Sequence, residues 1–174
     1  MPVIAWLSQP LVWVMALVVI QRLGELVIAG RNTRRLLARG GREIGAGHYP
    51  VMVAMHASWL AAIAFTTPVD TQPDRTLLAA YLVLQFARVW VIVTLGEYWT
   101  TRVITVDDAP LVAKGPFRFV RHPNYLIVTA EIALLPLAFH NIWVAVIFTV
   151  LNQLMLRHRI RVEQAALDLR RTTP

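Results

Sequence analysis

Five apolar runs dominate this chain, at about 10–29, 50–67, 75–95, 125–139 and 142–156. A hydrocarbon layer about 30 Å thick takes roughly 20 helical residues to cross. A segment inside it has to satisfy its own backbone polar groups, so each run is predicted to be a helix. Together they predict an all-α integral membrane protein with about five transmembrane helices, in one domain covering 1–174. The last two runs are short and predict a hairpin that is tilted or stops short of a full span. Composition agrees: 57% of the residues are hydrophobic and the mean hydropathy is +0.55, above ordinary soluble domains. The first run is long enough to span and lacks a basic leader, so it reads as a helix and not as a signal peptide.

The charge is distributed as tightly as the hydropathy. A net charge of +7 would suggest nucleic acid in a soluble protein. Here the basic residues cluster between apolar runs, which makes membrane lipid the expected partner and excludes nucleic acid. Arg31, Arg34, Arg35, Arg39 and Arg42 lie in the first linker, and Arg102, Lys114, Arg118 and Arg121 in the third. Arg157, Arg159, Arg161, Arg170 and Arg171 follow the fifth run, while the alternate linkers hold only Arg75. The positive-inside rule then predicts an N-terminus outside and a cytoplasmic C-terminus, with every basic cluster in the cytoplasm of a bacterial inner membrane. The absence of cysteine excludes disulfides, thiolate metal sites and cysteine nucleophiles. His48, His56, His140 and His158 show no paired ligand spacing, so no metal is expected. There is no glycine-rich phosphate loop and no serine nucleophile elbow.

Candidate chemistry concentrates in the third linker, 96–124, which contains "KGPFRFVRHPNYL". Gly115-Pro116 reads as a turn, and Pro123 suits the first position of a helix. His122 then sits at a helix N-terminus, where backbone donors and the dipole favour an anion. Tyr125 in the first turn adds a ring face and a hydroxyl. The last two runs form a hairpin, so His122 and Tyr125 come near Arg159 and Glu163. These two are four apart and share a helix face, offering one cation and one anion to a ligand that carries both charges. Singly, each feature has a plainer reading: topology signals for the arginines, an interfacial belt for Phe117, Phe119 and Tyr125, a solvated helix pair for Arg159 and Glu163. Their combination on one membrane face points to a site. Within the spans, Arg22 and Glu25 are three apart and expected to pair. Arg88 and Glu131 have no partner assignable from sequence. They read equally as functional groups or as an inter-helix polar clamp, with snorkelling a further option for Arg88.

The stretch "LVAKGPFRFVRHPNY", followed a hairpin later by "RIRVEQAAL", resembles the isoprenylcysteine carboxyl methyltransferase family of integral membrane enzymes. That family's pattern is a G-[VP]-[YF] turn, then R-H-P-x-Y, a helical hairpin and R-x-x-x-E-E-x-x-L. The N-terminal part is similar to a bacterial branch associated with type III polyketide synthases and with O-methylation of alkylpyrones or alkylresorcinols. The resemblance implies S-adenosylmethionine as cofactor, a cofactor site on the cytoplasmic side, and a catalytic region at about 96–171. It implies cofactor contacts from Leu111, Val112, the Gly115 turn, Phe117 (in place of the usual tyrosine), His122, Pro123, Asn124, Tyr125 and Glu163. Arg159 matches the arginine that holds the acceptor oxygen. Gln164 stands where a second acid is common, and no G-x-x-Y-x-x-Y tail follows Leu167, which points away from prenylated proteins.

The function expected on this basis is methyl transfer from S-adenosylmethionine to an oxygen of a lipophilic acceptor. The acceptor would be a carboxylate, an acidic enol or a phenol, of isoprenylcysteine-like or alkylpyrone- or alkylresorcinol-like character. Two alternatives stay open. A nicotinamide-dependent membrane reductase shares the R-H-P-x-Y element, and a non-catalytic protein that binds anionic lipid would share the basic face.

Overall fold

The computed structural model describes residues 8–106 and 112–172, with side chains described as far as residue 164 of the last helix. Among the described residues five α-helices follow one another: α1 (Pro10–Ala38), α2 (His48–Thr66), α3 (Arg75–Leu95), α4 (Pro123–Ala138) and α5 (Ile142–Thr172). Their ends carry local signals. Pro10 and Pro123 open α1 and α4 at a position where a missing N–H is harmless. Asp74 caps α3 by accepting from the N–H groups of Thr76 at 2.8 Å and Leu77 at 3.0 Å. Gly40, at φ +83°, ends α1 in a left-handed turn in which Gly41 N–H donates back to the Leu36 carbonyl.

Three helices, Pro10–Ala38, His48–Thr66 and the α3 stretch Arg75–Tyr98, are long and apolar enough to cross a membrane. Helix α4, with 16 residues, reaches only about 24 Å, so it falls short of the hydrocarbon thickness, as its short apolar run predicts. The outer faces suit lipid: Leu17, Ile20, Phe65, Phe86 and Trp143 are all more than half exposed. Two boundaries differ from the hydropathy reading. Helix α1 continues past residue 29 to Ala38, and the basic tail after residue 156 is a direct extension of α5. Both extensions are polar, so hydropathy stops where the helix does not. The fold is otherwise all-α. The described exception is a two-residue antiparallel ladder pairing β1 (Arg42–Glu43) with β2 (Ile104–Thr105).

Three layers follow one another along the bundle. At one end Leu11, Ile63, Tyr81, Leu135, Phe139 and Val144 form a dry core. The α4–α5 turn beside it is held by Asn141, which donates to Thr66 and Thr67, and by Asp74 N–H, which donates to the Ala138 carbonyl at 2.7 Å. The middle layer is ionic. Glu131, 1% exposed, accepts from Arg22 at 2.7 Å, from Arg88 Nε at 2.8 Å, from Gln85 at 3.0 Å and again from Arg88 Nη2. Glu25 accepts from Arg22 at 2.8 Å, Arg88 at 3.3 Å and Gln21 at 3.0 Å. Two arginines thus balance two carboxylates and tie α1, α3 and α4 together. The expected Arg22–Glu25 pair forms, and Arg88, only 3% exposed, belongs to the clamp and does not snorkel.

The third layer is the end to which all three basic segments lead. The first and third linkers are stitched together there. The β1–β2 ladder is extended by Ile44 N–H donating to the Val103 carbonyl, and Arg102 reaches both oxygens of Glu43 at 2.8 Å while lying 4.2 Å above the Tyr49 ring. Arg39 pairs with Glu97 at 2.8 Å. Asn32, buried in α1, donates to two backbone carbonyls past the end of α3, Gly96 at 3.0 Å and Trp99 at 2.9 Å.

Candidate active site

Tyr125 joins the two halves of the site. Pro123 begins α4, His122 occupies the cap position, and the first turn therefore presents Tyr125 toward α5. Its hydroxyl donates to Glu163 Oε2 at 2.7 Å and accepts from Arg159 Nε at 3.1 Å. Arg159 and Glu163 share one face of α5, as their spacing predicts, yet they meet through this hydroxyl. The His122 ring stacks on Tyr125, with centroids 5.3 Å apart, and its Nδ1 lies 3.8 Å from the Glu163 carboxylate. Arg159 is nearly buried and extends Nη1 to Met52 Sδ on α2 at 2.8 Å. A cation and an anion are thus held a fixed distance apart at the end of the α4–α5 hairpin.

Two cavities meet at this chain of groups. The first, of about 210 Å³, opens at the basic end and is walled by Phe117, His122, Pro123, Asn124, Tyr125, Arg159 and Glu163, facing the segment from Tyr98 to Thr105. The second, of about 300 Å³, lies between the helices and is walled mainly by apolar side chains of α1 and α2, including Leu23, Leu26, Val53 and Leu60. Trp99, Thr100, Asn124, Tyr125 and Arg159 line both. Leu23, Leu26 and Val53 are each at least two-fifths exposed, so the wall of the second cavity reaches the apolar outer surface of α1 and α2.

The predicted residues therefore fall into three groups. Phe117, His122, Pro123, Asn124, Tyr125, Arg159 and Glu163 converge on the first cavity. Gly115 and Val112 are not in its wall. Gly115 has φ +57° and packs against α3, where a Cβ would come within 2.7 Å of Thr94 Oγ1, so its part is to let the motif turn against the bundle. Leu111 lies outside the described residues. Sequence reasoning missed Met52 and the whole wall from Tyr98 to Thr105. No local signal marks them: Met52 meets Arg159 through the packing of α2 on α5, and the Tyr98–Thr105 wall reaches the cavity through the stitching of the first and third linkers. Among the described residues no cluster of three or more potential metal ligands occurs.

A polar pocket at the basic end of the bundle, joined to a largely apolar pocket between helices long and apolar enough to cross a membrane, defines the class: an integral membrane protein with a two-part cavity. Residues 76–169 match the isoprenylcysteine carboxyl methyltransferase (ICMT) family. The chain is 35% identical over 157 residues to the uncharacterized protein YpbQ of Bacillus subtilis, covering 88% of this chain and 94% of that one. It is 26% identical over 152 residues to an uncharacterized protein of Haemophilus influenzae, covering 84% of this chain and 88% of that one. No solved structure matches. The chain belongs to the isoprenylcysteine carboxyl methyltransferase family of membrane methyltransferases.

Enzymes of this family use S-adenosylmethionine, and the polar cavity offers suitable partners for such a molecule. Glu163 suits an ammonium group, and Arg121 and the α4 N-terminus suit a carboxylate. Phe117, Tyr98 and Trp99 offer ring faces to a purine. Asn124 Oδ1 and Thr105 Oγ1 are buried without a hydrogen-bond partner, and both residues line the cavity, as acceptors awaiting a ligand's N–H or O–H groups would.

Proposed function

We propose that this protein is an S-adenosylmethionine-dependent O-methyltransferase of the bacterial inner membrane. Its N-terminus lies outside and its polar site faces the cytoplasm. The acceptor is a long-chain lipophile with a carboxylate, acidic enol or phenol, such as an alkylpyrone, an alkylresorcinol or an isoprenylcysteine-like acid. The observation that carries the reading is the junction of the polar and apolar cavities at Tyr125 and Arg159, in a member of a methyltransferase family.

S-adenosylmethionine, when bound, supplies an electrophilic methyl group. Phe117, His122, Asn124, Tyr125 and Glu163 hold the water-soluble partner, with Glu163 on its amino group. The acceptor slides between α1 and α2 and brings its oxygen to Arg159. There the guanidinium keeps that oxygen anionic and aims it. Tyr125, bonded to Arg159 on one side and Glu163 on the other, fixes the distance between the two binding groups. Alignment of this kind can supply roughly 7–11 kcal/mol of a barrier, and an ionised carboxylate or enol needs no strong base. A phenol, with a pKa near 10, depends more on the cation.

The test is binding followed by turnover. Protein in lipid nanodiscs is titrated with S-adenosylhomocysteine, NADPH and anionic lipid, then assayed for transfer of labelled methyl to an alkylpyrone, an alkylresorcinol and a prenylcysteine analogue. S-adenosylhomocysteine binding with transfer to at least one acceptor is the expected result. Binding of NADPH without S-adenosylhomocysteine would overturn the reading in favour of a reductase, and binding of anionic lipid alone would favour a scaffold.

A further inference from the structure

The cavity between the helices is apolar along most of its wall, but His56 interrupts it. This residue lies on the inward face of α2, one turn from Met52 and in line with the buried Trp59 and Ile63. Its Nδ1 is 2.8 Å from the Met52 carbonyl oxygen. A carbonyl can only accept, so Nδ1 carries the hydrogen, and in the uncharged ring Nε2 presents a lone pair. No described residue donates to Nε2, and this atom is not among those sealed inside the protein. The two nitrogens of His48, by contrast, are sealed and unpartnered. An acceptor atom therefore faces a largely apolar chamber with no described residue donating to it.

Its position relative to the reaction end follows from α2. Met52 touches Arg159. One helical turn, about 6 Å, carries the chain from Met52 to His56, away from the aqueous end. A molecule whose oxygen is held at Arg159 places the part of its head just below that oxygen beside His56. Arg22 and Arg88 also reach this cavity, but their Nη groups are committed to Glu25 and Glu131. Arg22 Nε, Asn124 Oδ1 and Asn152 Oδ1 have no partner either, but those atoms are sealed inside the protein. The unmatched group open to the chamber is the histidine acceptor, and its complement is a hydroxyl donor.

We propose that His56 is a specificity residue: its Nε2 accepts a hydrogen bond from a second hydroxyl on the acceptor, close to the oxygen that receives the methyl group. This rests on the methyltransferase reading and narrows its substrate class to long-chain acceptors with a compact, doubly hydroxylated head. A fatty acid, with one oxygen function and no second donor, leaves Nε2 unpaired and is discriminated against.

The test uses a long-chain alkylresorcinol and the alkylphenol of equal chain length that lacks the second hydroxyl. Their binding to the protein in nanodiscs is read by tryptophan fluorescence without cofactor, for wild type, His56→Leu and His56→Gln. Wild type should bind the resorcinol about fivefold more tightly than the phenol, the factor that goes with one net hydrogen bond. His56→Leu should lose that preference by weakening the resorcinol alone, and His56→Gln, which keeps an acceptor, should retain part of it. Equal binding of the two by wild type, binding of neither, or an undiminished preference in His56→Leu would overturn the proposal. If His56→Leu fails to fold, His56→Phe, which also lacks an acceptor, takes its place: loss of the preference supports the proposal and an undiminished preference overturns it. Binding of S-adenosylhomocysteine to wild type, measured separately, reports on the methyltransferase reading, so the two can fail independently.

Discussion

Replacing Glu131 with glutamine removes one negative charge from the middle of the bundle and leaves the side chain's shape almost unchanged. Glu131 is 1% exposed and accepts from Arg22, Gln85 and both Nε and Nη2 of Arg88. Glutamine keeps one acceptor oxygen, but its amide turns two N–H groups toward guanidinium N–H groups. Arg22 and Arg88 are then left to share Glu25, with one positive charge unbalanced in the apolar part of the protein. Each charge-assisted hydrogen bond is worth about 1.5–3 kcal/mol. The four share one carboxylate, so they do not add. Breaking a buried ionic network by removing one partner costs about 3–5 kcal/mol, a large part of the roughly 5–15 kcal/mol that holds a protein folded. Thermal unfolding in detergent, followed by circular dichroism, should show a Tm lower by on the order of 10 °C. Combining Glu131→Leu with Arg88→Met leaves Arg22 and Glu25 as a balanced pair, and should recover much of the loss. A fall of less than about 1 kcal/mol in Glu131→Gln would refute a dry, balanced cluster. So would a double variant less stable than the single one.

Four further outcomes are expected. Glu163→Gln should weaken S-adenosylhomocysteine binding by about 1.5–3 kcal/mol in calorimetry, and His122→Ala should weaken it too; wild-type affinity in both would remove the proposed cofactor site. Arg159→Lys should keep that affinity while turnover drops on the order of 100-fold, because an ammonium cannot hold Tyr125, Met52 and an acceptor oxygen with one planar fork; full activity would leave Arg159 as a topology charge. Asn32→Asp cannot donate to the Gly96 and Trp99 carbonyls, so hydrogen exchange in the segment after α3 should quicken and stability fall by about 1–3 kcal/mol; unchanged exchange would show that the segment is held by other contacts. Reporter fusions should place the N-terminus outside and the C-terminus in the cytoplasm, and two termini on one side would rule out five spans.

Much of the architecture is determined by local chemistry and can be read directly from the chain. Apolar runs set the helices, Pro10, Asp74 and Pro123 set where three of them begin, and i, i+3 or i, i+4 spacing pairs Arg22 with Glu25 and puts Arg159 beside Glu163. Even the gathering of His122, Tyr125, Arg159 and Glu163 follows from a three-residue turn that folds the last helices into a hairpin. Tertiary structure alone decided the rest. Hydropathy cannot see that α1 and α5 continue as helices beyond the apolar layer, because backbone hydrogen bonds and the stitched linkers sustain them there. It cannot pair Arg22 with Glu131, 109 residues away, or Arg88 with Glu131, 43 residues away. Those partners are chosen by which helices pack side by side. Nor can a linear pattern reveal that a polar and a largely apolar cavity share Tyr125 and Arg159. That junction exists because a buried Asn32 and the Arg102–Glu43 pair draw the third linker across the end of the bundle, a contact between segments that carry no sequence mark of one another.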